Sequence, residues 1–106
     1  MASFSDRKAV EDIVIRYVEL VKKKLNVHSV YLYGSYAKGT YTEDSDIDIA
    51  IVADEFSGDK VKDILTLMKI RREIDNRIEP HPFRSDDFDV SNPFVKDIVS
   101  TGIRIM

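Results

Sequence analysis

The sequence predicts an α+β fold, a small mixed β-sheet with helices packed mainly on one face, and three patterns carry that expectation. A helical periodicity runs through residues 6–25, two β-rich runs follow at 27–33 and 46–52, and a proline-bearing run at 77–83 reads as a strand held at a sheet edge. A length of 106 residues suits one domain, 1–106, with a single core and no room for a second.

Val10, Ile13, Val14, Tyr17, Val18, Val21 and Leu25 recur at helical spacing, so Asp6 to Leu25 reads as an amphipathic helix with Ser5 as its N-cap. Lys22, Lys23 and Lys24 close it, and a solvated last turn that complements the helix dipole explains them better than a phosphate site. Val27 to Tyr33 is rich in β-formers and ends at Gly34, giving a strand that delivers a Gly34-Ser35 turn. Asp46 to Val52 is the next strand. Ser57 and Asp59 open a second helix with Val61, Ile64, Leu65 and Met68 expected inward, Met68 as core filler, and an end near Arg71 and Arg72. In the strand expected over Arg77 to Phe83, Pro80 and Pro82 cannot donate to a ladder. Asn92-Pro93 supplies an N-cap and a first-turn proline for a short helix bearing Phe94, Val95, Ile98 and Val99, stopped by Gly102. Ile103 to Met106 can form a last short strand. There is no internal repeat, low-complexity segment or linker.

Several function classes fall away on composition. Without cysteine there is no disulfide, zinc thiolate site or thiol nucleophile. No apolar run approaches a membrane span and no signal-peptide pattern opens the chain, so a cytoplasmic protein with no membrane association is expected. A net charge of −3 argues against a general electrostatic grip on long nucleic acid.

The informative stretch is Gly34 to Asp48. The period of two along Asp46 to Val52 sends Asp46, Asp48 and Ala50 to one face while Ile47, Ile49 and Ile51 fill a core on the other. Two carboxylates on one face repel unless a cation or a shared proton compensates. A divalent metal is the natural compensation, and a nucleotide phosphate the natural co-ligand of Mg²⁺. Gly34, lacking a Cβ, can approach phosphates, and Ser35 can offer a hydroxyl and a backbone N–H; taken alone the pair reads as an ordinary turn. Gly39 suits loop geometry, Lys38 either a phosphate contact or solvent, and Ser45 a local hydrogen bond that orients the loop or the Asp46 backbone.

Gly34-Ser35, then Gly39, then Ser45-Asp46-Ile47-Asp48 before an apolar run, resembles the signature of the nucleotidyltransferase superfamily that includes DNA polymerase beta and kanamycin nucleotidyltransferase. In size the chain is similar to the minimal nucleotidyltransferases, often encoded beside a helical HEPN partner as toxin and antitoxin. The resemblance implies Mg²⁺-dependent transfer of a nucleoside monophosphate, AMP in the favoured case, from an NTP such as ATP to a hydroxyl on a partner protein. Two Mg²⁺ ions would be shared by Asp46 and Asp48, with Glu79 completing the metal site, and Gly34, Ser35, Lys38, Gly39 and Ser45 would serve the nucleotide. Glu79 is the third acid by the pattern Arg77-Ile78-Glu79, although the family more often has Asp there and Pro80 follows. An exposed edge-strand glutamate is its plain alternative and Asp75 its rival; Asp44 and Glu43 read as solvated loop. His81 shares the Glu79 face and can touch nucleotide or acceptor, or simply pack. His28 carries no signal, Tyr31 and Tyr33 are core or a nucleotide shelf, and Tyr36 and Tyr41 are the expected exposed aromatics. With no acceptor domain in these residues, the acceptor would come from a second protein, and homo-oligomerisation is left open. The competing expectation is a nucleotide- or protein-binding antitoxin that neutralises a helical partner without turnover.

Overall fold

The computed structural model describes residues 4–106, with side chains from Arg7 onward. Its elements are α1 (Phe4–Lys22), β1 (Ser29–Tyr33), α2 (Ser35–Lys38), β2 (Ile47–Val52), α3 (Lys60–Arg71), β3 (Ile78–Phe83), α4 (Pro93–Thr101) and β4 (Ile103–Arg104). The strands form one sheet in the order β3-β2-β1-β4. β1 runs antiparallel to both β2 and β4, whereas β3 runs parallel to β2, so the sheet is mixed as the sequence implies. The two prolines do lie in the edge strand.

The alternation of β2 divides the molecule. Ile47, Ile49 and Ile51 point into the main core with Val10, Val14, Tyr17, Val18 and Val21 of α1 and Leu67 and Ile70 of α3. Ala50 and Val52 face the other way, into a smaller cluster with Tyr33, Phe83, Val95 and Ile98. Helices α1 and α3 therefore cover one face, and α4 covers part of the other, where the acids stand. Tyr17 ties α1 to α3 by donating its hydroxyl to the Leu67 carbonyl at 2.6 Å. Among the described residues no helix is long and apolar enough to cross a membrane.

Four sequence expectations need correction. α1 starts at Phe4, which puts Ser5 inside the helix rather than at its cap, and the Ser5 side chain lies outside those described. It ends at Lys22 rather than Leu25, because Lys23 and Lys24 bond back to Leu20 and Val21 in a tightened turn at 3.2 and 2.9 Å. In α3 the buried stripe is Asp63, Leu67 and Ile70, while Val61 and Leu65 are exposed and Ile64 and Met68 are only half-buried. The helix is turned by Asp63, whose carboxylate accepts hydrogen bonds from the Ser57 N–H at 3.0 Å, the Ser57 hydroxyl at 2.8 Å and the Gly58 N–H at 3.3 Å. An acid satisfied by a preceding turn competes successfully for an interior position that hydrophobicity alone would deny it. Finally, Tyr36 is buried and Tyr41 half-buried, stacked at 4.4 Å between ring centroids, instead of being exposed.

The ends of the shorter helices follow the sequence. Asp59 caps α3 by accepting from the N–H groups of Val61 and Lys62, and Asn92 caps α4 by accepting from Phe94 at 2.9 Å, with Pro93 at the first helical position. Gly102 closes α4 through its N–H to the Ile98 carbonyl at 2.8 Å.

Candidate active site

Tyr33, Asp48 and Glu79 form one row across the sheet. Asp48 is the Cα partner of Tyr33 in β1 and of Glu79 in β3. All three side chains share a face because facing residues in adjacent strands project together. Asp46, one residue before β2, stands beside this row on the same face, exposed to solvent.

Charge accumulates here. The carboxyl of Glu79 titrates above its ordinary range, first because it shares a hydrogen bond with Asp46, then through partial burial and the charges of Asp46 and Asp48, with His81 opposing. Asp48 is raised too, by burial and by Asp46. The Tyr33 phenol is pushed up by burial and by the charges of Asp48 and Glu79. His81, next but one along β3, brings Nε2 to 3.9 Å from Asp48 Oδ1, and burial holds its pKa below the usual imidazole value despite the nearby Glu79 charge.

The turn that follows β1 is fitted against these acids. Gly34 has φ 74° and ψ −148°, a conformation essentially reserved for glycine. A Cβ built there would lie 2.5 Å from Asp48 Oδ2. Ser35 then opens α2, a single turn that the sequence reading treats only as loop, and Gly39 ends it in the left-handed conformation. The carbonyls of Gly34 and Ser35 accept from Lys38 and Thr40, each at 3.0 Å.

The other expected residues lie around this centre. Ser45 accepts from the Thr42 N–H at 2.8 Å, shaping the loop into Asp46. Lys38 points to α4, its Nζ 3.5 Å from Asp97 Oδ2. Asp75, the rival third acid, is engaged by Arg77 through Nη2 at 2.9 Å and Nε at 3.1 Å, and that pairing holds its carboxyl below the usual range. Arg77 also donates to the Tyr36 hydroxyl at 3.4 Å, so the pair buttresses α2 from below.

Two residues not singled out in the sequence as site residues stand at the border of the acids: Asp97, through Lys38, and Phe94, whose ring centroid is 5.7 Å from Tyr33 and 6.5 Å from His81. The available signal was the spacing of Val95 and Ile98, which fixes the inward face of α4 and leaves Phe94 on its flank.

Among the described residues no set of three acidic, histidine or cysteine side chains is already drawn together as a metal site. The chemistry of the donors nevertheless fits a hard cation. Asp46, Asp48 and Glu79 offer only carboxylate oxygen, and their mutual repulsion is what a divalent ion would relieve.

Comparison with known proteins agrees with this geometry. The family model "Polymerase beta, Nucleotidyltransferase" matches residues 16–106. A Methanocaldococcus jannaschii protein with the provisional name protein adenylyltransferase is 35% identical over 65 residues, which are 61% of this chain and 65% of that one. The chain thus spans just under two thirds of that curated relative's length. A Sulfolobus solfataricus crystal structure, provisionally identified as a nucleotidyltransferase, superposes with a TM-score of 0.67 at 23% identity, covering 92% of this chain and 80% of that one. A toxin-antitoxin crystal structure with AMP-PNP superposes with a TM-score of 0.58 at 20% identity, covering 91% and 72%. Both structures share the fold. Since the family model spans the sheet, the Gly34-Ser35 turn and all three acids, the chain belongs to the polymerase beta nucleotidyltransferase family.

Proposed function

We propose that this protein transfers AMP from ATP to a hydroxyl group on a partner protein, in the cytoplasm. The observation that carries the reading is the row of Asp48 and Glu79, with Asp46 beside it, set against a glycine turn with no Cβ in the way. Asp46, Asp48 and Glu79 would hold Mg²⁺, which when bound neutralises charge developing on the phosphoryl oxygens of an in-line displacement. Gly34 and Ser35 would receive the β and γ phosphates, Gly39 and Ser45 would shape the loop between them and the acids, and Lys38 would lie at the edge of the phosphates. The acceptor oxygen bonds to the α-phosphorus, the bond from that phosphorus to the β-phosphate oxygen breaks, and pyrophosphate leaves. The hydroxyl proton passes to Glu79 or to water. Positioning and charge neutralisation are the protein's main contribution.

The acceptor is proposed to be a tyrosine, serine or threonine of a helical HEPN-type protein, in a toxin-antitoxin pair. The adenylyltransferase name of the relative and the toxin-antitoxin fold neighbour support this choice. Contact is expected near the loop from Tyr36 to Tyr41 and the edge strand around His81. Incubation with labelled ATP, Mg²⁺ and the co-expressed partner tests it: mass spectrometry of the partner should show an added nucleotide that disappears with Asp48→Asn.

A second reading is a binding antitoxin without turnover, favoured by Pro80, which departs from the family pattern directly after Glu79. Equal neutralisation of the partner by wild type and Asp48→Asn, with no modification, would select it.

A further inference from the structure

A single exposed apolar side chain is ordinary on a protein surface, so what singles one out is its place among rings beside an ionic site. Phe94 is such a residue, 46% exposed on α4. It is held firmly. Its ring meets Tyr33 at 5.7 Å, Phe83 at 6.1 Å and His81 at 6.5 Å between centroids, and the Asn92 cap and Pro93 fix the backbone beneath it. Tyr33 and His81 in turn reach the acids: Tyr33 is the strand partner of Asp48, and the His81 imidazole is 3.9 Å from its carboxylate.

We propose that Phe94, backed by Tyr33 and His81, is the stacking platform for the nucleobase of the bound nucleotide, and that it favours purines. The inference rests on the nucleotide-transfer reading above. Its support is the way α4 is attached to the phosphate turn. Tyr33 directly precedes Gly34, and Asp97, one helical turn beyond Phe94, pairs with Lys38 at the end of α2. The aromatic ring is therefore a neighbour of the phosphate turn through Tyr33 and reaches across to His81 and Phe83 of β3. Glu79 ends that row in the edge strand, two residues before His81. A nucleobase is also the part of the nucleotide that suits the position. It is planar and uncharged, so it meets no repulsion from the carboxylates, and its stacking on an aromatic side chain is worth about 1–3 kcal/mol. A purine covers more of the ring than a pyrimidine does.

Calorimetric titration of wild type, Phe94→Ala and Phe94→Leu with MgATP, MgCTP and magnesium tripolyphosphate tests this. Wild type should bind MgATP more tightly than MgCTP, and both variants should lose roughly ten-fold in MgATP affinity while binding tripolyphosphate within about two-fold of wild type. Leucine keeps the apolar packing without the π face, so it separates stacking from a merely structural role. Variants that bind MgATP as well as wild type, or that lose ATP and tripolyphosphate together, overturn the platform and leave the transfer reading intact. A wild type that binds neither ligand overturns both.

Discussion

The carboxylate of Asp48 fills the space that a side chain on Gly34 would need. The phosphate turn and the central acid are thus one fitted unit, and the turn has no room for a side chain while the acid stands there. Gly34→Ala combines a clash at 2.5 Å with a backbone angle of φ 74°. It should lower stability by about 2 kcal/mol or more and abolish nucleotide binding. Gly39 is the control. Its φ is 80°, but a Cβ there meets nothing within 4 Å, so Gly39→Ala should cost only ~1 kcal/mol and preserve binding. Chemical denaturation and nucleotide titration of the two variants separate the effects.

The acids should weaken the protein that holds no cation. Asp48 and Glu79 have raised pKa values, so over a window above the ordinary carboxylate range, about 4, the folded chain keeps protons that the unfolded chain has released. These groups withdraw stability as pH rises through that window. Replacing both Asp46 and Asp48 with Asn should raise the melting temperature at pH 7 by a few degrees, a gain that vanishes below about pH 4. The same variant should lose Mg²⁺-dependent ATP binding. Undiminished binding, or a large loss of stability, would assign the pair a structural role instead.

Glu79→Gln separates binding from transfer. The amide keeps the volume and can still bond to Asp46, so MgATP affinity should hold within a few-fold. Transfer to the partner should fall roughly 10²-fold, about 3 kcal/mol of transition-state stabilisation. Unchanged transfer would remove Glu79 from the reaction, and Asp75 would then be the acid to test.

The inverted face of α3 is checked by a pair of substitutions. Asp63→Ala strips a buried carboxylate from three hydrogen-bond donors and should cost about 2–3 kcal/mol in urea unfolding. Leu65→Ser, at an exposed position, should stay within about 0.5 kcal/mol of wild type.

That pair also marks what was legible in the sequence. Asp46 and Asp48 set between Ile47, Ile49 and Ile51 disclosed both the core and the acid face, since a one-residue slip would have buried the aspartates. Pro80 and Pro82 located the edge strand, and Asn92-Pro93 the start of α4, because each depends on local backbone chemistry. Helix α3 was misread for a physical reason: Val61, Leu65 and Met68 form a regular apolar stripe, and only the hydrogen bonds of Asp63 to Ser57 and Gly58 reveal which stripe is inside. Burial of Tyr36 depends on Tyr41 and Arg77, and its contact with Arg77 spans 41 residues of sequence. The acid triad follows from spacing and family likeness, but the crowding of Glu79 against Asp46 and Asp48, which lifts its titration, arises only in the folded sheet.

The prolines of β3 have a consequence for molecular recognition. The Ile47 and Ala53 N–H groups bond to the carbonyls of Arg77 and Phe83, so the odd-numbered residues of this strand pair with β2, and the backbones of Ile78, Pro80 and Pro82 turn away from the ladder although all three residues are buried. Two of those three positions have no N–H, and the third, Ile78, already donates to Asp75 at 3.3 Å. The rim of the sheet nearest Glu79 therefore offers no free N–H, and the Ile78 carbonyl already accepts from Arg71 at 2.8 Å, so a docking strand finds no ladder to extend there. A chain that reaches this carboxylate must do so as a loop or a helix end, its reactive side chain leading and its own backbone unpaired with the sheet.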